Sequence, residues 1–339
     1  MEFASPTVSR CAPKMILMVG RQLGHNVGMV DISSAFTQSA LLPVSARLII
    51  LPPPYVELPW KSSIDPCFAA KQPPEYGRVT LRPLYGTSCA PLRRFATISA
   101  QFKKKSWIQL ESDACVFRLE RNNGICGLAA IHVDDIICSA NSFGWESFLS
   151  VIADYDHTPI EYLSEMNSLV YLGLDVGMLP GGNIYPPQGT FVREKLATIS
   201  DDGMIKKLDT PAEISRRKTT CKQATGKLIW LLQTRPDIPQ KLCTLASEIN
   251  ISSWKYATFL SWCRKANKIV SRIKSQPLKI LYKKFISWPV ETGTQLAKAV
   301  QLYVFSDASY TSATGEGSME SYVLIAGRPQ SRNGDILCA

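Results

Sequence analysis

Two adjacent carboxylates inside an apolar segment constrain this chain more than any other feature of its sequence. Asp134 and Asp135 lie within residues 130–137, where every other residue except His132 is apolar. A buried carboxylate costs several kcal/mol unless a partner compensates its charge, and no Lys or Arg lies close in sequence. Neighbouring residues of a strand point to opposite faces, so both acids reach one site only at a bend. We therefore expect a hairpin tip here, with a divalent cation as the compensating partner.

The composition restricts the class of protein. The chain has 339 residues, 45% of them hydrophobic, which is enough for two or three domains with real cores. No run approaches the roughly 20 apolar residues of a membrane span. Ten cysteines without Cys-x-x-Cys spacing and three histidines argue against a zinc site. The first residues lack the pattern of a secretory signal, so we expect an intracellular protein with reduced thiols.

The positive charge is concentrated in one part of the chain. The net charge is +10, but residues 203–285 contain 18 Lys and Arg against four Asp and Glu, so the remainder is acidic. A basic segment beside an acidic one is typical of a nucleic-acid binder with a metal-binding region, although a solvated helical surface gives the same pattern. The tryptophans of this part of the chain could stack on bases, but we expect most of them in the core; they are Trp230, Trp254, Trp262 and Trp288.

Local patterns predict alternating helices and strands. A helix leading into a strand is expected over 14–32, and a helix after Pro91 is expected to carry Arg93 and Arg94 on its polar side. Further strands are predicted at 115–119, 127–131, 169–176 and 301–308, a helix at 144–155, and mostly helical structure over 190–285. The first two of these strands are separated by an Asn-Gly sequence, the strongest short signal for a hairpin.

A third carboxylate ends an apolar strand upstream. Asp31 follows Val30, and with Asp134 and Asp135 it would give three carboxylates at strand ends. Such a cluster can hold two magnesium ions about 3.5–4 Å apart, which stabilise the attacking and leaving oxygens of an in-line phosphoryl transfer. Taken alone, Asp31 also fits a cap or turn residue.

The order of several motifs resembles the reverse transcriptase of copia-type long-terminal-repeat retrotransposons. The later blocks resemble the family's primer-grip hairpin, its post-polymerase signature and the opening strand of a ribonuclease H domain. The matching blocks run through nearly the whole chain, at residues 31–36, 84–91, 115–117, 132–135, 171–174, 226–237 and 304–309.

The resemblance implies a role for each acid and for the residues around it. Asp31 and Asp134 would bridge two Mg²⁺ ions, with Mn²⁺ as a possible substitute, and Asp135 would support and orient them. Ile32, Phe36 and Cys89 would contact the incoming nucleotide. The ring of Phe36 would clash with a 2′-hydroxyl and so favour deoxynucleotides. If the family resemblance is set aside, a core residue is an equally good interpretation of Phe36.

The resemblance also implies a primer grip and a set of partners. Tyr171, Leu172 and Gly173 would hold the 3′ end of the primer, whereas a plain buried strand is the simpler interpretation. The partners would be an RNA template, a DNA primer and dNTPs, without a membrane. The chain would be part of a longer Pol polyprotein, in a cytoplasmic particle or in the nucleus.

The implied fold class is α+β, built on a right-hand polymerase palm. Residues 1–185 would form partial fingers and palm, residues 186–295 a basic helical region like a thumb or connection, and residues 296–339 a truncated ribonuclease H-like α/β stub. A ribonuclease H domain is expected to have a cluster of acids, and Asp307 is the one acid of that cluster present in the stub. One carboxylate cannot hold two metal ions, so we expect Asp307 to be a vestige or a strand-end cap.

One departure from the family pattern bears on activity. Cys89 stands where the family has Gln, and a thiol is a poor hydrogen-bonding substitute for an amide. A catalytically inactive remnant that at most binds nucleic acid is therefore the alternative to an active polymerase. A two-metal nuclease would use the same acids, but it would need neither Phe36 nor a primer grip.

Overall fold

The computed structural model describes a mixed α+β architecture whose strands pair antiparallel. It describes residues 5–50, 78–186, 188–200, 209–251, 254–276, 281–282, 301–309 and 319–327. The helices are α1 (Cys11–Leu23), α2 (Ala90–Lys104), α3 (Ser142–Ile152), α4 (Gly189–Glu194), α5 (Pro211–Trp230), α6 (Pro239–Ser247) and α7 (Tyr256–Ser275). The strands are β1 (Asn26–Asp31), β2 (Ile49–Ile50), β3 (Arg78–Val79), β4 (Ile108–Gln109), β5 (Val116–Arg121), β6 (Gly124–His132), β7 (Asp135–Ala140), β8 (Glu161–Tyr162), β9 (Leu169–Tyr171), β10 (Leu174–Met178), β11 (Ile184–Tyr185), β12 (Gln301–Ser309) and β13 (Met319–Gly327).

A six-stranded antiparallel sheet forms the centre, in the order β4-β5-β6-β7-β1-β8. Its strands are covered on both faces, so alternate residues of β6 enter two different cores. Leu128 and Ala130 pack in one core with residues of α1 and β9, whereas Ala129 and Ile131 pack in the other with residues of α2 and α3. Burial on both faces explains why β6 and β7 are nearly continuous apolar runs in the sequence.

The hairpin predicted between the strands at 115–119 and 127–131 is confirmed, with its turn one residue earlier than the Asn-Gly pair suggests. Asn122 and Asn123 have φ of 51° and 61°, and Arg121 pairs with Gly124 across the turn. Positive φ at both central residues is the type I′ geometry, which suits the twist of the flanking strands.

The single strand predicted over 169–176 is wrong, because the chain reverses in its middle. Leu172 and Gly173 adopt φ of 51° and 71° and join β9 to β10, with Tyr171 paired to Leu174. The buried Tyr171 hydroxyl donates to the Ala130 carbonyl at 3.1 Å, which fastens this hairpin to β6. The resulting β9–β10 hairpin is the segment for which the sequence suggested a primer grip.

The basic part of the chain is helical, and its core is built from α5, α6 and α7. Thr210 caps α5 by accepting a hydrogen bond from the amide of Glu213 at 3.3 Å. Trp254 and Trp262 are buried in this core, as expected from the sequence. Trp230 is half-buried with the Arg10 guanidinium 5.2 Å from its ring, and Trp288 lies outside the described residues.

The predicted strand near residue 305 is confirmed and pairs with a second strand. β12 and β13 form a separate two-stranded antiparallel sheet in which Asp307 lies opposite Ser321. The domain boundary predicted at 295/296 lies outside the described residues. Among the helices that the structure describes, none is long and apolar enough to cross a membrane.

Two glycines in left-handed turns provide a test of how the β9–β10 hairpin packs. A Cβ added to Gly173 would lie 2.8 Å from Cζ2 of Trp230, whereas a Cβ added to Gly181 would have nothing within 4 Å. We expect Gly181→Ala to lose about 1–2 kcal/mol of stability from backbone strain, and Gly173→Ala to lose roughly 1–3 kcal/mol more from the clash. Urea unfolding of both variants measures the difference. Equal losses would show that Trp230 does not pack on this turn.

Candidate active site at a hairpin tip

The two adjacent acids lie at the bend that the sequence predicted. β6 ends at His132 and β7 begins at Asp135, so Val133 and Asp134 form a two-residue turn. Val133 has φ of 57°, and positive φ at the first turn position is the type II′ pattern, which glycine normally occupies. A β-branched residue in this region costs about 1–2 kcal/mol. The turn is held by the paired strands despite that strain, as is common at functional sites.

The third acid lies beside this turn. β1 pairs with β7 in a register that places Asp31 directly opposite Asp135. The amide of Ile32 donates to the carbonyl of Asp134 at 3.0 Å, so the pairing continues into the turn itself. The structure therefore brings Asp31, Asp134 and Asp135 to one end of two neighbouring strands, although Asp31 is about a hundred residues away in sequence.

Burial and neighbouring carboxylates raise the pKa values of Asp31 and Asp135. Burial, followed by the charges of Asp134 and Asp31, raises the pKa of Asp135 to about 6. Burial and the charge of Asp134 also raise the pKa of Asp31. The ionised cluster is therefore unfavourable, and a cation placed between the acids would relieve it.

The donor chemistry of this cluster fits a hard divalent cation, because Mg²⁺ is bound by carboxylate oxygens. In the part of the chain described by the structure, no three His, Cys, Asp or Glu side chains already surround a common point suited to a metal ion. The three acids lie at the same end of β1 and β7 and are half-exposed, so rotation about their side-chain bonds is what would direct their oxygens to one ion.

A buried arginine, Arg94, supports the turn through a hydrogen bond. The prediction that Arg94 lies on the polar side of its helix is wrong. Arg94 of α2 is only 1% exposed, and its Nε donates to the Val133 carbonyl at 3.4 Å. Its guanidinium lies 5.0 Å from the ring centroid of Tyr155. Burial lowers the pKa of Arg94, while Tyr155 and then Asp134 act in the opposite direction.

The position of Arg94 on the helix predicts that its side chain is buried. Ala90, Arg94, Ile98 and Phe102 are spaced by four residues and all are buried. Residues at that spacing share a helix face, so the apolar neighbours predict that Arg94 faces the core. Nη1 and Nη2 are buried without a well-formed hydrogen bond, although the Tyr155 hydroxyl favours the charged form electrostatically.

The predicted nucleotide-binding residues differ in burial and in their contacts. Ile32 is buried in the core, and its amide is already bonded to Asp134. Phe36 is 8% exposed and packs edge-on against Tyr85, with ring centroids 4.6 Å apart. Cys89 is half-buried at the start of α2, with its Sγ 4.0 Å from the Thr87 hydroxyl.

The predicted primer-grip residues divide into an anchor and an exposed tip. Tyr171 is fully buried, and burial raises its pKa well above the usual value. Leu172 is half-buried and Gly173 is exposed, so the turn rather than the tyrosine faces solvent. Asp307 lies on β12, in a different sheet from the three acids.

The raised pKa of Asp135 makes stability depend on pH in a defined direction. The folded state holds its proton up to about pH 6, whereas the unfolded state releases it near 3.8, so stability falls as pH rises between these values. Without divalent cations, we expect Asp135→Asn to stabilise the fold at pH 7 by roughly 1–2 kcal/mol, after allowance for solvent screening.

Thermal unfolding of wild type and Asp135→Asn at pH 4 and pH 7 measures this effect. The gain should be present at pH 7 and absent at pH 4. Glu146→Gln, a neutralised acid exposed on α3, is the control and should show no such difference. A destabilised Asp135→Asn at pH 7 would contradict the electrostatic description of the cluster.

Comparison of the chain with protein-family models, curated proteins and solved structures found no match. The interpretation of the hairpin tip therefore depends on the sequence motifs and on the geometry of the three acids. What these establish together is a cluster of three carboxylates at a strained turn, in which the pKa of Asp135 is raised and the buried Arg94 donates to the Val133 carbonyl.

Proposed function

We propose that this chain is the reverse transcriptase part of a copia-type retrotransposon polyprotein, an RNA-directed DNA polymerase. The observation that carries the proposal is the convergence of Asp31 with Asp134 and Asp135 at one end of β1 and β7. The motif order had singled out the same three residues. Under this proposal residues 1–185 are partial fingers and palm, residues 186–295 the thumb or connection, and residues 296–339 a ribonuclease H stub.

The acids would hold the catalytic ions, and the rest of the site would position them. Bound Mg²⁺, or Mn²⁺, supplies charge stabilisation for the attacking 3′-hydroxyl and the leaving pyrophosphate oxygen. Asp31 and Asp134 would hold the ions, and Asp135 would orient the pair from the start of β7. Arg94 restrains the turn through the Val133 carbonyl, which limits the movement of Asp134.

A basic groove in the helical part would take the backbone of a primer–template. Between α6 and α7, four cations surround an apolar floor that includes Ile238, Leu245 and Ile269; they are Lys241, Lys265, Lys268 and Arg272. Lys265 pairs with Glu248 and Arg272 with Asp237, at 2.5 and 3.3 Å. The groove keeps an excess of positive charge, which favours a polyanion such as a duplex backbone.

The second candidate function is a remnant that binds nucleic acid without polymerising. The observation that favours it is Cys89, whose thiol is half-buried beside Thr87 where the family has a Gln amide. A thiol donates and accepts hydrogen bonds weakly, so the nucleotide would lose a contact there. Binding of primer–template without extension is the behaviour that separates the remnant from the enzyme.

Primer extension tests the polymerase directly. We expect the wild-type chain to extend oligo(dT) on poly(rA) with Mg²⁺, and Asp134→Asn to reduce the rate at least about 100-fold, because it removes a metal ligand. Asp154→Asn, the same change at an exposed acid, should keep the wild-type rate.

Equal background extension by wild type and Asp134→Asn would exclude the active polymerase. In that case Cys89→Gln separates two causes of inactivity. A gain in extension by Cys89→Gln would identify the thiol as the defect, and no gain would place the defect elsewhere in the chain.

Salt dependence tests the basic groove. We expect the affinity for an oligo(dT)–poly(rA) duplex to fall steeply with salt, and Lys241→Gln and Lys268→Gln each to reduce the slope of log K against log salt by about 0.9 or less. Fluorescence anisotropy between about 50 and 200 mM salt measures the slope. Lys195→Gln, exposed but outside the groove, is the control. Unchanged slopes for both groove variants would exclude this surface as the binding site.

A further inference from the structure

A histidine lies in the same row of the central sheet as two of the three acids. β6 and β7 pair in a register that places His132 directly opposite Asp135. On the other side of β7, the pairing with β1 places Asp31 opposite the same Asp135. Three side chains of the metal-binding types therefore lie at one level on three adjacent strands, with Asp135 in the middle. All three are half-buried, so ions in solution can reach them.

The alternation of side chains puts the whole row on one face of the sheet. Residues two or four apart on a strand share a face. Each member of the row has an apolar residue at such a spacing, and all of these pack in the core that contains residues of α1 and β9; they are Ala130, Ile137 and Val27. Burial, followed by the charge of Asp135, raises the pKa of Tyr171 in the same core. The row therefore lies on the face that α1 and β9 cover.

Backbone hydrogen bonds fix the spacing within the row. The amide of Asp31 donates to the Thr158 hydroxyl at 3.1 Å, and its carbonyl accepts the Thr158 amide at 2.9 Å, so both point away from β7. Asp31 and Asp135 are therefore a non-hydrogen-bonded pair, in which the Cα atoms lie about 4.5 Å apart and the side chains are closest. The pair of Asp135 with His132 is then hydrogen-bonded, with about 5.5 Å between Cα atoms. Neighbours in the row are thus close enough to share an ion.

The imidazole of His132 is available as a ligand. Within the part of the chain that the structure describes, neither of its ring nitrogens has a hydrogen-bond partner. The residue borders a cleft of about 90 Å³, which Pro91 and Phe95 also line, so the ring has room to turn. His157 differs in this respect, because its Nδ1 lies 2.7 Å from the Thr158 carbonyl.

The imidazole distinguishes this row from a site made of carboxylates alone. Carboxylate oxygens suit Mg²⁺ and Mn²⁺ alike, whereas an imidazole nitrogen is a ligand for transition-metal ions. Among the described residues, no three such side chains surround a common point as they are placed. Binding therefore requires side-chain rotation in the row, with the backbone spacing unchanged.

We propose that His132 is a metal ligand that acts together with Asp135 and Asp31, and that it makes the acid cluster prefer a divalent transition-metal ion, such as Mn²⁺, over Mg²⁺. The inference rests on the proposed polymerase function and names the residue that sets the metal preference of that site. A nitrogen donor adds to the affinity for Mn²⁺ and little to the affinity for Mg²⁺, which keeps oxygen ligands and water. Loss of the imidazole should therefore change the ratio of the two affinities.

The test measures metal binding by the full chain, without chemistry. Titration with Mn²⁺, followed by the electron paramagnetic resonance signal of the free ion, gives the Mn²⁺ affinity, and competition with Mg²⁺ gives the second affinity. Mn²⁺ is the probe because thiolates prefer softer ions, and this chain has ten cysteines. We expect His132→Phe to lower the Mn²⁺ affinity about 10-fold or more and to keep the Mg²⁺ affinity within about 2-fold, which also shows that the variant is folded.

Pulsed electron paramagnetic resonance of the bound Mn²⁺ detects a coordinated imidazole nitrogen directly. The wild-type chain should show the nitrogen coupling, and His132→Phe should lose it. His132→Gln, which keeps a polar side chain, is a second variant and should lose the coupling as well. His157→Gln is the matched control, because His157 is also half-buried and is bridged to Ile32, at the end of β1. It should keep both the affinity and the coupling.

Two results would overturn the assignment of His132. One is a wild-type Mn²⁺ complex without nitrogen coupling, and the other is an equal loss of Mn²⁺ and Mg²⁺ affinity in His132→Phe. A wild-type chain that binds neither ion would instead overturn the metal site on which the proposed function depends.

Discussion

The antiparallel pairing of β1 with β7 is the constraint on which the candidate site depends. Its register places Asp31 opposite Asp135 and bonds Ile32 to the carbonyl of Asp134. The arrangement is electrostatically unfavourable, since it raises the pKa of Asp135 to about 6. A slip of one residue would separate the acids, but it would also turn every apolar side chain of the strand to the wrong face. The cores on the two sides of the sheet therefore hold the acids together against their mutual repulsion.

Arg94 supports the acid turn through a hydrogen bond to its backbone. A salt bridge to Asp134 would occupy the oxygens that a divalent cation needs, whereas the hydrogen bond to the Val133 carbonyl leaves them free. The charge of Asp134 in turn favours the charged form of the buried guanidinium. The same bond restrains a turn whose first residue is strained. Arg94 thus supports the turn through the backbone, while the carboxylates remain available.

Local structure followed from the sequence where one strong pattern dominated. Two adjacent acids cannot share a strand site, which predicts the bend at Asp134, and Pro91 marks the start of the confirmed helix α2. The strand over 169–176 was predicted wrongly because its apolar run concealed a turn, although Gly173 is the residue that a turn needs. The charge of Arg94 predicts the polar side of α2, whereas its four-residue spacing from the buried Ala90 and Ile98 places it in the core. The contact of Phe36 with Tyr85 joins segments about fifty residues apart, which no local pattern indicates.

The helical part is connected to the central sheet by contacts that resist sliding. Lys14 of α1 is largely buried and donates to the carbonyl of Gln233, which follows α5. Trp230, at the end of α5, lies under Gly173, and Tyr171 fastens the same hairpin to β6. Displacing the helices would leave the Lys14 ammonium buried without its partner, a loss of several kcal/mol. The buried Lys14 ammonium therefore links the end of α5 to α1.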